Sequence, residues 1–259
     1  MSKELRLVKH VIEKADVIFE VVDARDPMAT RTSELEKLAK RFRKPLIIVI
    51  NKSDLVPRKV MEKWRKVLSK EYPTVYLSAR ERLGTRMLWK IAKKVMGDKG
   101  TVTVAVVGLP NVGKSTIINM LRGRHSAGTS PVPGYTKSDK TVRASTWLKV
   151  VDTPGIIPKG EEEELVIRSA LRPESLEDPV PPAMRLIERL KAKDPKVFRR
   201  VYGVDDDNAY TLLEKIARRR GLLLKGDKLD VEGAARIVIR DWQTGKLTVY
   251  FTPEDYGLV

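Results

Sequence analysis

The chain has 259 residues, no cysteine and a hydrophobic fraction of 42%, enough for a substantial core plus a smaller domain and exclusive of disulfides and thiolate metal sites. Its net charge of +17 points to a polyanionic partner, RNA before membrane, because no basic amphipathic anchor stands out. No apolar run approaches the roughly 20 residues of a membrane span, and the opening MSKELRLVKH lacks a signal peptide's apolar core, so a cytoplasmic protein without a membrane partner is expected.

Residues 1–98 carry 24 basic and 13 acidic side chains, residues 99–171 carry 10 and 6, and residues 172–259 carry 17 and 15, so the excess sits early in the chain. Residues 3–15 place Leu5, Val8, Ile12 and Ala15 at helical spacing, with His10 on the same helix. A buried-type strand is expected over Asp16–Val22. It ends in the loop Asp23–Pro27 (DARDP), where an Asp–Arg pair ordering the strand end is the expectation. Thr32 or Ser33 is placed to cap a helix running through Phe42.

The apolar run Pro45–Ile50 predicts the next strand, which delivers Asn51-Lys52-Ser53-Asp54, a match to NKxD. The Asp54 carboxylate can accept from both the N1–H and the exocyclic amine of guanine, whereas adenine offers a bare lone pair at N1. A site built on such bonds rejects the wrong base by roughly 10⁴-fold or more. Asn51 is placed to tie the neighbouring loops together, and the Lys52 stem to cover the base plane. A basic helix over Val56–Ser69 carries Trp64. A short strand at Thr74–Leu77 then leads into Ser78-Ala79-Arg80, which resembles the SA[KL] loop whose backbone N–H groups meet the guanine carbonyl oxygen. Leu83–Met96 is a further helix, and Gly97–Gly100 reads as a linker.

Val102–Val107 is a β-branched strand feeding a loop from Gly108 to Lys114, after which Ser115 and Thr116 open a helix. Gly108, Gly113, Lys114 and Ser115 fit GxxxxGK[ST], the phosphate-binding loop. Its glycines let backbone N–H groups turn inward around phosphate oxygens, and the helix N-terminus adds its positive end. The binding set is therefore Gly108, Pro110, Asn111, Val112, Gly113, Lys114, Ser115 and Thr116. Lys114 reaches the β- and γ-phosphates, and the Ser115 hydroxyl can ligate magnesium.

Gly128–Lys137 (GTSPVPGYTK) has no hydrophobic period and reads as a mobile loop, with Thr136 as the second hydroxyl ligand to magnesium. Strands are expected around Lys140–Ala144 and Thr146–Val151, ending in Asp152-Thr153-Pro154-Gly155. This DxxG places Asp152 toward magnesium through water and the Gly155 N–H against the γ-phosphate. An ordinary small GTPase runs phosphate loop, threonine loop, DxxG, NKxD, SA[KL]; here the last two come first. A doubly wound sheet with adjacent termini can be cut and rejoined without losing its site. An ATPase or metabolic kinase with the same phosphate loop is disfavoured by NKSD.

On VDARDP at Val22–Pro27, NKSD, GLPNVGKST at Gly108–Thr116, PGYTK at Pro133–Lys137 and DTPGI at Asp152–Ile156, the chain resembles the circularly permuted GTPases of the YlqF/RbgA group, relatives of the YawG and nucleolar ribosome-assembly GTPases. The likeness extends through RRVYGV at Arg199–Val204 and the Gly221–Asp241 region. It implies a GTPase that binds the large ribosomal subunit and its rRNA late in assembly, with GTP or GDP and magnesium as cofactors. Asn111 matches the asparagine that in related GTPases helps to hold potassium; the other reading is a turn residue tolerant of unusual backbone angles. Lys114, Thr136, Gly155 and Asn111 are the candidate catalytic set. Many GTPases orient the attacking water with a Gln just after DxxG; here that position is Ile156, and the sole Gln is Gln243, so slow intrinsic turnover is expected. Bacterial members are thought to use a histidine near the N-terminus, but His10 falls too late to match it, and His125 reads as a surface residue.

The fold class expected is α/β: a permuted GTPase domain with a doubly wound, mostly parallel sheet over 1–171, then a small, mainly helical RNA-binding domain over 172–259. A helix over Glu161–Leu171 precedes a linker, Arg172–Pro182. Helices follow at Ala183–Leu190, Lys196–Tyr202, Asn208–Arg219 and Val231–Trp242, with a strand at Leu247–Phe251. Arg185, Arg189, Lys193, Lys196, Arg199 and Arg200 form one basic cluster. Arg218, Arg219, Arg220 and Lys225 form another, with Tyr202 and Tyr210 placed to stack on bases. A monomer is expected.

Overall fold

A computed structural model describes residues 3–97, 100–121, 140–143, 148–153 and 160–258. His125, Thr136, Gly155 and Ile156 lie outside the described residues. Six strands, β1 Val17–Asp23, β2 Leu46–Asn51, β3 Thr74–Tyr76, β4 Val102–Val107, β5 Lys140–Arg143 and β6 Leu148–Asp152, form one sheet in the order β3-β2-β1-β4-β6-β5. Every pairing is parallel except β5 with β6. The central strands β1 and β2 are buried along their whole length, which is why they read as unbroken apolar runs rather than as alternation.

Helix α1 Lys3–Lys14 precedes β1, and α2 Pro27–Thr30, α3 Ser33–Arg41, α4 Arg58–Leu68, α5 Thr85–Met96 and α6 Lys114–Leu121 lie in the connections between strands. Phe19, Val21, Ile47, Val49, Val104 and Val106 pack in one cluster with Leu88 and Ala92 of α5 and Ile117 and Leu121 of α6. Thr32 is the residue before α3, but its hydroxyl makes no capping bond. Its N–H instead donates to Oε1 of Glu20 at 2.8 Å. Glu20 is a fully buried carboxyl in the middle of β1, and neither its Oε2 nor the Thr32 hydroxyl has a hydrogen-bond partner among the described residues. Burial first, then the nearby Glu36, push the Glu20 carboxyl up to about 8, against the opposing pull of the Thr32 N–H and Arg31.

The chain divides into two compact units, Met1–Pro158 with Phe251–Val259, and Lys159–Tyr250. The second is helical: α7 Glu162–Ile167, α8 Val180–Lys193, α9 Val197–Tyr202, α10 Ala209–Arg220 and α11 Val231–Thr244. Its core joins Leu186, Phe198, Leu212, Ile216, Val238 and Trp242. The break expected at residue 172 falls inside this unit, and 172–182 is not a linker. Val166, Leu176 and Ala183 share the core, while Trp242 Nε1 donates to the Ile167 carbonyl at 3.0 Å and Gln243 Nε2 to that of Leu171 at 2.6 Å. The prolines that read as a breaker instead open α8, where a missing N–H is harmless. Nor do residues 247–251 form a strand. Leu247 and Val249 bury their side chains in the helical core, but no ladder of backbone bonds accompanies them; the Leu247 N–H turns back to the Asp241 carbonyl. Trp242→Phe is expected to lower the stability of this unit by about 1–2 kcal/mol, because the Ile167 carbonyl loses its donor while most of the ring burial is kept; urea unfolding followed by tyrosine and tryptophan fluorescence reads it.

Candidate functional site

Parallel strands present their carboxyl ends on one edge, and ligands of open α/β sheets bind there, beside the point where strand order reverses. Here the chain moves from β1 to β2 and β3 on one side, then crosses to β4 and β6 on the other. Asp23 ends β1, Asn51 ends β2, Ser78 follows β3, Gly108 follows β4 and Asp152 ends β6, in register opposite Val106. Every motif read from the sequence and described in the structure therefore lies on the same edge.

Asn51 is the hinge pin of that edge. Its Nδ2 donates to the Val112 carbonyl of the phosphate loop at 2.9 Å, and its Oδ1 accepts from the Ala79 N–H at 3.1 Å. Ser53 N–H also donates to the Leu77 carbonyl, and the Ser78 and Leu83 backbones exchange hydrogen bonds across the turn that carries Ala79 and Arg80. Arg80 is exposed, as is Asp54, whose carboxylate is thus open to a base. Asn51→Ala leaves a buried N–H and a loop carbonyl without partners, at about 1–3 kcal/mol each. A ten- to hundredfold rise in the Kd of a fluorescent GTP analogue is the expected result.

The phosphate loop begins at Gly108 with φ +145°, where a Cβ would stand 2.5 Å from the Val21 carbonyl oxygen of β1. Asn111 takes a left-handed φ of 60°, the geometry of a tight turn. Lys114 is buried, with its Nζ donating to the Leu109 carbonyl at 2.7 Å, so its ammonium is held over the loop. Lys114 begins α6, with Ser115 and Thr116 following in its first turn, and Ser115 is exposed there. Thr153, next to Asp152, donates its hydroxyl to the Val106 carbonyl at 2.7 Å, tying the end of β6 to the phosphate-loop strand.

A charged cluster missing from the sequence reading underlies the base motif. Asp23 receives Nε and Nη2 of the fully buried Arg25 at 3.1 and 2.9 Å and Nζ of Lys52 at 2.8 Å. Burial alone raises the Asp23 carboxyl, but Arg25 and Lys52 outweigh it and hold it well below the usual carboxylate range. Lys52 in turn is drawn down by burial and by Arg25, with Asp23 restoring part of it. The Asp–Arg pair was legible in DARDP; that Lys52 completes it was not, because only the β1–β2 register, Asp23 beside Asn51, brings them together.

On the helical unit, Arg185, Lys196, Arg199, Arg200, Arg218, Arg219, Arg220 and Lys225 are exposed, while Arg189 and Lys193 are half-buried. Arg185 and Arg200 pair with Glu188 and Asp194. Tyr202 corrects the expectation of a stacking residue: it is 6% exposed, stacks on Phe198 and donates its hydroxyl to Asp241 at 2.9 Å. Burial and the Asp241 carboxylate push that phenol up. Tyr210 is 44% exposed.

A mostly parallel sheet whose carboxyl edge gathers a base motif, then a phosphate loop and the Asp152-Thr153 that opens DxxG, in that chain order, defines a circularly permuted P-loop GTPase. Residues 103–196 match the family model described as a 50S ribosome-binding GTPase, and residues 5–97 match the elongation factor Tu GTP-binding domain. The GNP-bound YlqF of T. maritima superposes with a TM-score of 0.70 at 30% identity, over 98% of this chain and 99% of that one. An uncharacterized GTP-binding protein of Methanocaldococcus jannaschii, MJ1464, is 42% identical over 95% of this chain, and nucleolar GTP-binding protein 2 of Yarrowia lipolytica is 36% identical over 94%. The chain spans 66% of the first relative's length and 49% of the second's. It belongs to the YlqF family of circularly permuted GTPases.

Proposed function

We propose that this chain hydrolyses GTP and docks on the large ribosomal subunit, or its rRNA, in a nucleotide-dependent way that assists late subunit assembly. The observation that carries the reading is the bonding of Asn51 to both Ala79 and Val112, which joins a guanine-reading edge to a phosphate loop. Asp54 reads the N1–H and amine of guanine, with the Lys52 stem over the base and the Ser78-Ala79-Arg80 backbone at its carbonyl oxygen. Gly108, Pro110, Asn111, Val112 and Gly113 cradle the phosphates, Lys114 neutralises them, and Ser115 and Thr116 present the helix N-terminus. Thr136 and Gly155 close on the γ-phosphate.

Magnesium suits the hard oxygen donors Ser115, Thr136 and Asp152, and the exposure of Ser115 at the start of α6 fits that use. When bound, the ion neutralises charge developing on the phosphates. Asn111 would hold a potassium ion, which would add to that neutralisation. Exposed basic side chains on the helical unit, with Tyr210, supply phosphate contacts and one stacking face. The family description as a ribosome-binding GTPase and the nucleolar relatives support this choice of partner. The protein acts as a cytoplasmic monomer; among the described residues no helix is long and apolar enough to cross a membrane.

The test is GTP turnover in potassium buffer with and without purified large ribosomal subunits from the same source. A many-fold rise with subunits is expected. A second reading, a GTP-dependent RNA-binding module with incidental hydrolysis, draws on Gln243, the sole glutamine, whose amide is committed to the Leu171 carbonyl. No rise with subunits, alongside tight GTP binding, would favour it.

A further inference from the structure

The base motif stands on a support that continues into residues far along the chain. Lys52 has the left-handed backbone conformation, φ 64° and ψ 33°, which a side-chain-bearing residue adopts only where its surroundings impose it. Two bonds impose it from the Asp23–Asp26 turn. The Ala24 N–H donates to the Asn51 carbonyl at 2.8 Å, and the Asp23 carboxylate takes the Lys52 ammonium. Arg25 locks that carboxylate from the other side through Nε, Nη2 and its own backbone N–H.

The turn itself is held by residues 251–256. The Phe251 N–H donates to the Arg25 carbonyl at 2.7 Å, and the Tyr256 hydroxyl donates to Oδ1 of Asp26 at 2.5 Å. Trp64 of α4 pins this strap from below: its indole N–H donates to the Phe251 carbonyl at 2.9 Å, and its ring meets Tyr256 edge to face at 5.9 Å. Thr252 and Asp255 close the strap on itself in a capping box, so it is a shaped element rather than a trailing end. All of these residues belong to the first compact unit.

We propose that the strap Phe251–Tyr256 is a positioning element of the guanine site, acting through Arg25 and Asp23 on Lys52 and Asn51. It touches no nucleotide itself. The inference rests on the reading of Asn51–Asp54 as the guanine motif. Loosening the strap lets Lys52 leave its left-handed conformation, and Asp54, two residues on, loses its fixed aim at the N1–H and the exocyclic amine. GTP and GDP carry the same base, so both are affected alike.

The experiment compares GDP with inosine diphosphate, which lacks the exocyclic amine, by competition against a ribose-labelled fluorescent GDP on the full chain. A variant that merely unfolds part of the population weakens both nucleotides by one factor and leaves their ratio unchanged. Tyr256→Ala and Trp64→Phe are expected to lower the preference for GDP over inosine diphosphate by about fivefold, the loss of roughly one hydrogen bond's worth of fixed geometry. Should Tyr256→Ala fail to fold, Tyr256→Phe, which removes one oxygen and keeps the ring against Trp64, decides with a smaller shift in the same direction. A wild-type ratio in both folded variants overturns the proposal. Asp54→Asn separates the two levels: it should collapse the ratio, and if it does not, the guanine reading itself is wrong.

Discussion

Gly113→Ala is expected to raise the Kd for GTP at least a hundredfold while leaving a folded protein. Gly113 has φ +97°, and a Cβ there would stand 2.2 Å from Nδ2 of Asn51, far inside any real contact. Something must give, and both ways out damage the site. If the Asn51 amide swings away, the Val112 carbonyl and the Ala79 N–H lose their partner together. If the phosphate loop moves instead, its backbone N–H groups no longer converge on one set of phosphate oxygens. Two disrupted hydrogen-bonded contacts at about 1–3 kcal/mol each reach that hundredfold. Gly100→Ala is the matched control, since nothing lies within 4 Å of its Cβ position. Calorimetric titration of each variant with GTP, beside its thermal melt, decides; a Gly113→Ala protein that binds GTP normally would show that the asparagine is dispensable.

Glu20→Gln is expected to make the protein more stable at neutral pH and to flatten its pH dependence. The Glu20 carboxyl titrates near 8 in the folded chain against 4.5 when free. Between those values the folded chain keeps a proton that the unfolded chain releases. Stability from this group is therefore fully present below pH 4.5 and is lost progressively as pH rises toward 8. At pH 7 the loss amounts to about 3 kcal/mol. Glutamine retains the oxygen that accepts from Thr32 and cannot ionise, so the variant gains most of that energy at pH 7 and little at pH 5. Urea midpoints measured at pH 5, 6.5 and 8 should converge at the acid end; parallel curves would sink the assignment.

The centre of the sheet was legible because β1 and β2 are buried along their whole length. Val102–Val107 was read to the residue, and β1 and β2 to within one, since apolar β-branched runs of that length have few other uses. The site motifs were legible because their spacing carries chemistry. What stayed hidden depends on long-range pairing. Trp64 read only as a member of a basic helix, yet its indole serves a carbonyl 187 positions away, which no local pattern records. The stretch 172–182 misled for a different reason: Pro181 and Pro182 satisfy a helix start as well as a loop, and only the burial of Leu176 beside α11 tells them apart. Tyr202 was misplaced because arginines surround it in sequence, whereas in space its ring lies against Phe198.

The strap also sets the order in which the protein can be finished. Asp26 and Tyr256 are separated by 230 positions, and at a synthesis rate of about 5–20 residues per second they emerge roughly 10–50 s apart. Throughout that interval the loop beneath the base motif waits without two of its bonds, while the whole sheet and then the helical unit are being made. A nascent chain stalled after Tyr250 has every strand found among the described residues, and every nucleotide motif, but an unbraced Lys52. Competence to recognise guanine thus arrives only once residues 251–256 have been translated, long after the phosphate loop.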